Sequence, residues 1–286
     1  MSLKIGITGA SGILGSELKK KIKKNLVIFK GNLTNKTDVY NWVKKNKFKT
    51  IYHFAAVVPI KEFNKNKKKS FDVNVTGTKH LVDSILKFQN NKIWFFYSST
   101  SHVYKLRKKE GRIKETDICK PQSPYGLSKR LAEKYLIKKF TENKCKYCIG
   151  RIFSFTHKNQ QKTFFIPAII ERLLGSKNSN FNNINNANHF RDFLSTKDII
   201  NAIVMLERKK KVGIFNIGSG IKTHLFDIIS HLGALIKIKI KMNLGSKKTF
   251  LIANNNKLKK IGWKNNYNFL TEINGILRYK ISKKNS

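Results

Sequence analysis

The chain has 286 residues, which is enough for one large domain or two small ones, and 40% of them are hydrophobic and 26% charged. This composition excludes a disordered chain, and only 4 Pro and 17 Gly exclude a collagen-like or linker-dominated one. The sequence contains no apolar run of the about 18 residues that span a bilayer. Residues 1–9 also lack the basic and then apolar layout of a signal peptide. We therefore predict a cytoplasmic protein without a membrane segment.

The charge balance is strongly basic, since 59 Lys and Arg against 16 Asp and Glu give a net charge of +43. Nucleic-acid binding is one interpretation of such a surplus. The basic residues are spread from Lys19 to Lys284 and are not gathered on one element. We therefore favour a solvated basic surface and keep a non-catalytic, nucleic-acid-binding scaffold as the alternative. The positive field favours anionic ligands such as phosphorylated substrates and cofactors.

The first half of the chain alternates strands and helices. Apolar runs predict strands at residues 4–8, 26–29, 50–55, 93–97 and 148–153. Helical patterns between them lie at residues 16–24, 37–45, 71–88 and 128–140. This alternation predicts a parallel sheet covered on both faces, and we expect residues 1–154 to form a doubly wound, Rossmann-like α/β domain.

The second half has a different texture. Helices are predicted at residues 166–174, 196–206 and 225–235, and strands at residues 213–217 and 237–242. An Asn-rich stretch at residues 178–188 predicts a loop. We expect residues 155–286 to form a smaller, mainly substrate-binding α/β domain, some of whose elements return to the first sheet.

The three cysteines fit a reducing compartment. Cys145 and Cys148 form a CxxC, but no second pair completes a zinc site. We interpret both as residues of a buried strand and predict no metal site.

Three glycines stand between the first strand and its helix. Gly9 permits a tight turn, Gly12 lets the backbone approach a pyrophosphate, and Gly15 allows close packing of helix on strand. The helix start, with Ser11 and Ile13, presents free N–H groups and the positive end of the helix dipole to phosphates. This spacing predicts a dinucleotide-binding loop.

The end of the second strand bears on the choice between NAD and NADP. In dinucleotide-binding folds an acidic residue about 20 positions on accepts hydrogen bonds from the adenosine ribose of NAD. No carboxylate stands there in this chain, and Lys30 supplies a cation that suits the 2′-phosphate of NADP. We expect NAD(P)(H) as cofactor, with a slight preference for NADP.

Tyr125 and Lys129 are spaced so that both lie on one face of a helix. An ammonium beside a phenol favours the phenolate, so we expect Lys129 to lower the pKa of Tyr125 toward the working pH. A hydroxyl from residues 98–101, at the end of a strand, then holds the substrate oxygen while Tyr125 moves the proton. Hydride transfer to or from a nicotinamide completes the chemistry.

The glycine loop, the hydroxyl run and the segment Pro-Gln-Ser-Pro-Tyr-Gly-Leu-Ser-Lys at residues 121–129 resemble the extended short-chain dehydrogenase/reductase superfamily. Within it the chain is similar to the NAD-dependent epimerase/dehydratase family of nucleotide-sugar enzymes, over nearly its whole length. The resemblance implies that Thr100 is the catalytic hydroxyl, beside Tyr125 and Lys129. It also implies a nucleotide-sugar substrate and allows a homodimer.

The resemblance implies further contacts in both halves of the chain. Cofactor contacts beyond the glycine loop are implied for Lys30, Asn32, Leu33, Ala55, Ala56, Asn74, Tyr125 and Lys129. Substrate contacts are implied for Thr100, Ser101, His102, Ser154 and Arg191. Arg191 belongs to an Arg-Asp-Phe whose guanidinium contacts the diphosphate in the family. Ser154 is a departure, because sugar epimerases usually have a substrate-binding Asn there.

The residues after Thr100 discriminate among the reactions of the family. The 4,6-dehydratases place acidic residues after the catalytic hydroxyl to eliminate water, whereas this chain has Ser101 and His102. We therefore predict hydride transfer at a sugar carbon, most simply C4, by a 4-keto reductase or a 4-epimerase. The compact chain favours a deoxysugar-nucleotide reductase slightly, and a dehydratase-like enzyme stays as the alternative within the family.

Overall fold

The computed structural model of the chain describes residues 3–22, 24–58, 60–90, 92–175, 184 and 187–285. The strands of this part are, in chain order, β1 (Lys4–Thr8), β2 (Leu26–Ile28), β3 (Phe48–His53), β4 (Trp94–Thr100), β5 (Lys146–Ile152), β6 (Ser154–Phe155), β7 (Phe190–Arg191), β8 (Phe193–Leu194), β9 (Gly213–Ile217), β10 (Thr223–His224) and β11 (Phe250–Leu251).

The α-helices of the same part are α1 (Ile13–Lys21), α2 (Lys36–Lys44), α3 (Ile60–Lys65), α4 (Lys67–Phe71), α5 (Gly77–Phe88), α6 (Pro124–Glu142), α7 (Phe165–Gly175), α8 (Thr196–Arg208), α9 (Leu225–Leu235), α10 (Asn256–Lys259) and α11 (Phe269–Asn285). A π-helical turn spans Asp72–Thr76 and a 3₁₀ turn spans Ser101–Val103. No described helix is both long and apolar enough to cross a membrane.

The chain divides into two compact units. Unit 1 comprises Met1–Lys105, Thr116–Ile152 and Ile200–Asn216, and unit 2 comprises Leu106–Glu115, Phe153–Ile199 and Ile217–Ser286. The main crossing after Ile152 lies two residues before the predicted boundary at residue 154. The chain also leaves unit 1 at residues 106–115 and returns to it at residues 200–216, so neither unit is one continuous stretch.

The sheet of unit 1 has six strands in the order β2-β1-β3-β4-β5-β9. The pairs from β2 through β5 are parallel, so the carboxyl ends of these strands meet at one edge. The central strand β4 is an almost continuously buried apolar and aromatic run, as a strand covered on both faces requires. The predicted doubly wound α/β fold is confirmed.

One strand of the usual dinucleotide-binding sheet is absent from the described residues. Such sheets usually run 3-2-1-4-5-6, with two strands on the far side of the first. Here β2 alone lies beyond β1 and forms the edge. The chain passes from β2 into α2 and then directly to β3. Because β2 pairs with β1 in parallel, the turn after β2 lies at the same end of the sheet as the glycine loop after β1.

The core of unit 1 is built from the apolar faces of α5 and α6 against the sheet. Leu81 and Ile85 of α5 and Leu136 and Phe140 of α6 are buried in one cluster with residues of β4. Helix α6 begins at Pro124, four residues before the predicted start at residue 128. The earlier start places Tyr125 inside the first turn of the helix.

The predicted helix at residues 71–88 is interrupted in the structure. Helix α4 starts at Lys67, capped by Asn66, whose side chain accepts the Lys69 N–H at 3.0 Å. The π turn Asp72–Thr76 then joins α4 to α5. Single π turns of this kind occur often at functional sites, and this one carries the buried residue Asn74.

Unit 2 contains two small sheets and a helical core. Strand β7 pairs antiparallel with β10 and parallel with β11, and β6 pairs parallel with β8. Apolar residues of α7, α9 and α11 are buried in a second cluster, among them Ile170, Ile229 and Ile273. The predicted α/β character of the second half is confirmed.

The strand predicted at residues 237–242 is wrong, because these residues lie in irregular backbone with one isolated bridge residue, Lys241. The alternating apolar residues Ile238, Ile240 and Met242 pack against the core cluster of unit 2. Burial of every second side chain produced the strand-like pattern without a partner strand. The Asn-rich segment predicted as a loop at residues 178–188 lies outside the described residues except for 184, 187 and 188.

Candidate active site

Two glycines of the turn after β1 are required by the fold itself. Gly9 has a φ of +72°, in the left-handed region, and a Cβ there would lie 2.5 Å from the nitrogen of Ala55. A Cβ at Gly15 would overlap the carbonyl oxygen of Gly9. The turn therefore approaches β3 on one side and α1 on the other through these two positions.

Gly12 is different, because nothing in the described protein requires a glycine there. Its φ is −71°, and the nearest atom to a Cβ at this position would be the Gly9 oxygen at 3.4 Å. Gly12 is the N-cap residue of α1, whose first turn has no side-chain cap and no acidic residue. N–H groups at such a helix start attract an anion. The contact of Ser11, Gly12 and Ile13 with the pyrophosphate of a dinucleotide stays a prediction.

The residues expected beside the adenosine end of the cofactor follow β2. Lys30 and Asn32 are exposed, and Leu33 is buried. The Asn32 side-chain oxygen accepts the backbone N–H of Thr34 at 3.0 Å. The backbone N–H of Asn32 donates to the Asp38 carboxylate at 2.8 Å. Asp38 was not predicted from the sequence, because it lies in α2 and not at the end of the second strand, where an acidic residue was expected. The fold brings its carboxylate back to the end of β2. The end of β2 therefore holds a carboxylate as well as the cation Lys30.

The end of β3 is tied to α6 through Asn74. The buried Asn74 amide accepts the Val57 N–H at 2.7 Å and donates to the Ser128 hydroxyl at 3.1 Å. Ala55 and Ala56 are half-buried in the segment before Val57. Asn74 thus fixes the loop that follows β3, and its own contact with a cofactor stays a prediction.

Thr100 and Tyr125 meet although they lie on different elements. Thr100 is the buried last residue of β4, and Tyr125 lies in the first turn of α6, which Ser123 caps by accepting the Gly126 N–H at 3.1 Å. The Thr100 side chain lies close enough to the Tyr125 phenol to lower the pKa of that phenol through hydrogen bonding. The pair joins a hydroxyl donor to a potential acid or base, as the sequence predicts for these two residues.

The pKa of Tyr125 differs from the expectation. Burial raises it to about 12, and the hydrogen bond from Thr100 offsets only part of this effect. The expected lowering of the Tyr125 pKa by Lys129 is therefore wrong for the protein alone. The physical reason is that burial also lowers the pKa of Lys129 to about 7, which weakens the lysine as a permanent positive charge.

Lys129 is buried, with 2% of its surface exposed, and its surroundings are aromatic and polar. Its ammonium lies 4.2 Å from the centre of the Tyr97 ring. On β3, His53 is fixed by Thr8 and Thr78, whose hydroxyls lie 2.6 and 2.9 Å from its two ring nitrogens. Burial first and Lys129 second lower the pKa of His53 to about 3, so this imidazole is neutral beside the lysine.

The sequence analysis also missed Glu133, one helical turn after Lys129. This carboxylate is fully buried and accepts hydrogen bonds from Ser99 on β4 and Arg151 on β5. The signal was present in the sequence, since Tyr125, Lys129 and Glu133 are spaced four residues apart on one helix face.

The predicted substrate residues divide between the two units. In unit 1, Ser101 is buried and His102 is exposed, its ring centre 6.1 Å from that of Tyr125. In unit 2, the Ser154 N–H donates to the carbonyl of Asp192 at 3.0 Å. Asp192 directly follows Arg191, the last residue of β7.

Arg191 has an unusual set of partners for a guanidinium. It donates to the carbonyls of Phe190 and Thr249 at 2.8 and 3.1 Å and to the Thr249 hydroxyl at 3.1 Å. None of these acceptors carries a charge. Burial lowers the pKa of Arg191 to about 10. The group therefore suits an anionic ligand.

Asp192, the next residue, organises the backbone of unit 2. Its buried carboxylate accepts the N–H groups of Ser219 and Gly220, both at 2.8 Å, and that of Ala253 at 3.0 Å. It also accepts the Ser219 hydroxyl at 2.7 Å. One side chain thus ties the residue after β7 to the segments that follow β9 and β11.

Neither the cysteines nor other side chains form a metal centre in the part of the chain that the structure describes. Cys148 is buried within β5 and Cys145 is half-buried just before it. No group of three or more His, Cys, Asp or Glu side chains among the described residues is arranged to hold a metal ion.

Comparison with known proteins adds three findings. A family model described as GDP-mannose 4,6 dehydratase matches residues 7–275. A UDP-glucose 4-epimerase of Lacticaseibacillus casei is 26% identical, over 94% of this chain and 94% of its own length. A dTDP-D-glucose 4,6-dehydratase of Dictyostelium discoideum is also 26% identical, over 79% of this chain, which spans 60% of that protein.

The fold is shared with solved structures of low sequence identity. The structure of RMD from Pseudomonas aeruginosa complexed with NADPH superposes with a TM-score of 0.84 at 19% identity, covering 99% of this chain and 100% of that one. At this identity the likeness establishes the fold.

Proposed function

Since this chain belongs to the family of NAD-dependent nucleotide-sugar epimerases and dehydratases, we propose that it transfers hydride at a sugar carbon of a nucleotide-linked sugar, as a 4-keto reductase or a 4-epimerase. C4 and a deoxysugar are the simplest choices for the reacting carbon and the sugar. The observation that carries the proposal is that Thr100, Tyr125 and Lys129 come together: Thr100 lowers the pKa of the Tyr125 phenol from the end of β4, and Lys129 lies one turn further along α6. The predicted cytoplasmic location and homodimer stay predictions.

Each of the three residues has a separate role. A bound nicotinamide supplies or accepts the hydride. Thr100 donates to the substrate oxygen or to Tyr125 and so fixes the distance between them. Tyr125 gives its proton to that oxygen or removes it, and Lys129 supplies positive charge one helical turn from the phenol.

The pKa of Tyr125 supports proton donation. A group with a pKa of about 12 keeps its proton at pH 7, which suits transfer to the oxygen of a ketone as it is reduced. The reverse direction needs more positive charge near the phenol, which the oxidised nicotinamide carries.

Dehydration is the less favoured reaction within the family. Residues 101 and 102 carry no carboxylic acid, and Ser101 is buried while His102 is exposed. The two positions directly after Thr100 therefore hold no acid that could protonate a leaving hydroxyl. The match to a dehydratase family model does not change this argument, since family membership covers several reactions.

The substrate's diphosphate is the proposed ligand of Arg191. Among the described residues, the hydrogen bonds of its guanidinium go to neutral acceptors, and a diphosphate would supply negative charge. Ser154 offers a hydroxyl where the family usually has an Asn. The net charge of +43 favours such an anionic substrate at long range.

We propose NADP as the preferred cofactor, on weaker grounds. Lys30 is exposed at the end of β2, where a 2′-phosphate needs a cation. Asp38 opposes this assignment, but its carboxylate already accepts the Asn32 N–H. Structures of this fold contain NAD as well as NADPH, so the fold itself favours neither cofactor.

The test is a panel of UDP-, dTDP-, CDP- and GDP-linked 4-keto and 4-hydroxy sugars, followed at the nicotinamide absorbance. We expect turnover with one nucleotide series, and reduction of a 4-keto sugar to be faster than oxidation at pH 7. The nucleic-acid alternative predicts salt-sensitive binding to DNA and no nicotinamide binding. That pattern would contradict the proposed function.

A further inference from the structure

A buried carboxylate links the strand that carries Thr100 to the helix that carries Tyr125 and Lys129. Glu133 has no exposed side-chain surface. Its Oε1 accepts the Ser99 hydroxyl at 2.5 Å and Nε of Arg151 at 3.0 Å. Its Oε2 accepts Nη2 of Arg151 at 2.8 Å and Nη1 of Arg130 at 2.9 Å. Four donors from β4, β5 and α6 therefore meet at one side chain.

This arrangement is not explained by stability alone. Burying an ion pair costs desolvation that its attraction only partly offsets, so apolar residues often serve as well. The guanidinium groups of Arg151 and Arg130 both lie against the Glu133 carboxylate. Arg151 is itself held, because its guanidinium lies 4.7 Å from the Tyr104 ring centre and the Tyr104 hydroxyl lies 2.7 Å from Asn216 Oδ1. The network fixes a negative charge in one place.

That place is next to Lys129. The titratable groups around the lysine are Tyr125 and Glu133 on α6, Tyr97 on β4 and His53 on β3. Burial raises the pKa of both tyrosines and lowers that of His53, so these three are neutral at pH 7. Glu133 is the charged group of the four, and it raises the pKa of Lys129 against the effect of burial.

Ser99 adds a second link, this time to Thr100. Ser99 directly precedes Thr100 on β4 and lies opposite Arg151 in the β4–β5 register. The bond from Ser99 to Glu133 holds this strand end against α6 at the level of the turn that carries Lys129. The position of the Thr100 hydroxyl relative to Tyr125 depends on that contact.

We propose that Glu133 is a positioning residue of this site, which keeps Lys129 as an ammonium and fixes the end of β4 against α6. The catalytic consequence rests on the proposed function, whereas the effect on the protonation of Lys129 does not. Glu133 acts indirectly, through Lys129 and Thr100.

The experiment follows the titration of Lys129 by NMR in protein labelled at lysine Cε, with the signal identified by its loss in Lys129→Met. In the unmodified protein we expect a pKa of about 7. Glu133→Gln should lower it by about one unit or more, because a nearby opposite charge is removed. Glu133→Asp keeps the charge and should restore most of the pKa.

Glu142→Gln is the matched control, since it removes the same charge from the same helix at an exposed position. It should leave the titration of Lys129 unchanged, because solvent and salt screen this distant charge. The double variant Glu133→Gln/Arg151→Met covers the case in which Glu133→Gln alone fails to fold, because it removes the unpaired buried arginine as well. Its Lys129 should titrate as low as in the single variant.

A folded Glu133→Gln or double variant whose Lys129 titrates as in the unmodified protein would overturn the proposal. On an active sugar nucleotide, the loss of turnover that accompanies deprotonation of Lys129 should move to lower pH in Glu133→Gln and stay in place in Glu142→Gln. Absence of turnover with every sugar nucleotide contradicts the proposed function and leaves the NMR result to decide the role of Glu133.

Discussion

The ammonium of Lys129 lies 4.2 Å from the centre of the Tyr97 ring, so a buried cation rests on an aromatic face of the central strand. Such a contact stabilises a cation by about 0.5 to 2 kcal/mol when water is excluded. Together with Glu133 it opposes the desolvation of Lys129. The protonation of this lysine near neutral pH is therefore balanced by a few identifiable side chains.

Tyr97→Leu removes the aromatic face and should lower the pKa of Lys129 by about half a unit to one unit. Tyr97→Phe keeps the ring and serves as the control, with a Lys129 titration close to that of the unmodified protein. The measurement is the lysine NMR titration. Equal titrations in the Leu and Phe variants would show that the ring contributes nothing to the charge state of Lys129.

Gly12→Val should abolish nicotinamide binding while the fold survives. A side chain at Gly12 meets no atom of the described protein closer than 3.4 Å, but it fills the space proposed for the pyrophosphate. We expect calorimetry to show a loss of cofactor affinity of at least about 100-fold. The melting temperature should change little. Unchanged affinity would contradict the assignment of the loop.

Gly15→Val is the contrasting variant for the same experiment. Its Cβ would overlap the Gly9 oxygen, so α1 has to move away from the turn. We expect a clear fall in melting temperature, in contrast to Gly12→Val. The difference separates a glycine needed by the ligand from one needed by the fold.

Lys30→Asp should lower the ratio of NADP to NAD affinity by about tenfold, since it replaces the cation proposed for the 2′-phosphate with a second carboxylate near Asp38. Lys146→Asp makes the same charge change at an exposed residue at the amino end of β5, whereas Lys30 follows the carboxyl end of β2. It should leave the affinity ratio unchanged. An unmodified protein that already prefers NAD by about tenfold would contradict the preference for NADP.

Asp192→Ala should destabilise unit 2 strongly. It leaves three buried backbone N–H groups without their acceptor, each at a cost of about 1 to 3 kcal/mol. We expect a loss of about 3 kcal/mol or more in denaturant unfolding. Asp227→Ala, at a residue whose side chain is 73% exposed, should change stability by less than about 0.5 kcal/mol. A similarly small effect at Asp192 would refute its organising role.

The fold of the first half could be predicted from the sequence because its signals are local. Apolar strands such as β4 and the glycine turn after β1 each occupy one short stretch, and their alternation with helices fixes a parallel sheet. The strand prediction at residues 237–242 was wrong, because every second side chain packs against the helical core, which gives the same apolar alternation as a strand. The sequence predicted that some elements of the second half return to the first sheet, but not which ones, because the return of residues 200–216 to unit 1 depends on contacts distant in sequence.

The site could be predicted in part for the same reason. Tyr125 and Lys129 share one helix, and their spacing places them together. Asp38 and Glu133 were missed because their roles depend on partners on other elements, Asn32 after β2 and Arg151 on β5. The pKa of Tyr125 was predicted with the wrong sign, because burial, which raises this pKa, is a property of the folded protein.

The central claim is that Tyr125 moves the proton, and the most direct measurement is the pH–rate profile of Tyr125→Phe on the sugar nucleotide that proves active. The variant loses only the phenol oxygen, so its cofactor affinity and melting temperature should stay close to those of the unmodified protein. We predict that turnover falls by about 10²- to 10⁴-fold, as expected for loss of a positioned acid or base. A folded, cofactor-binding Tyr125→Phe protein with near-normal turnover and an unchanged profile would contradict the account.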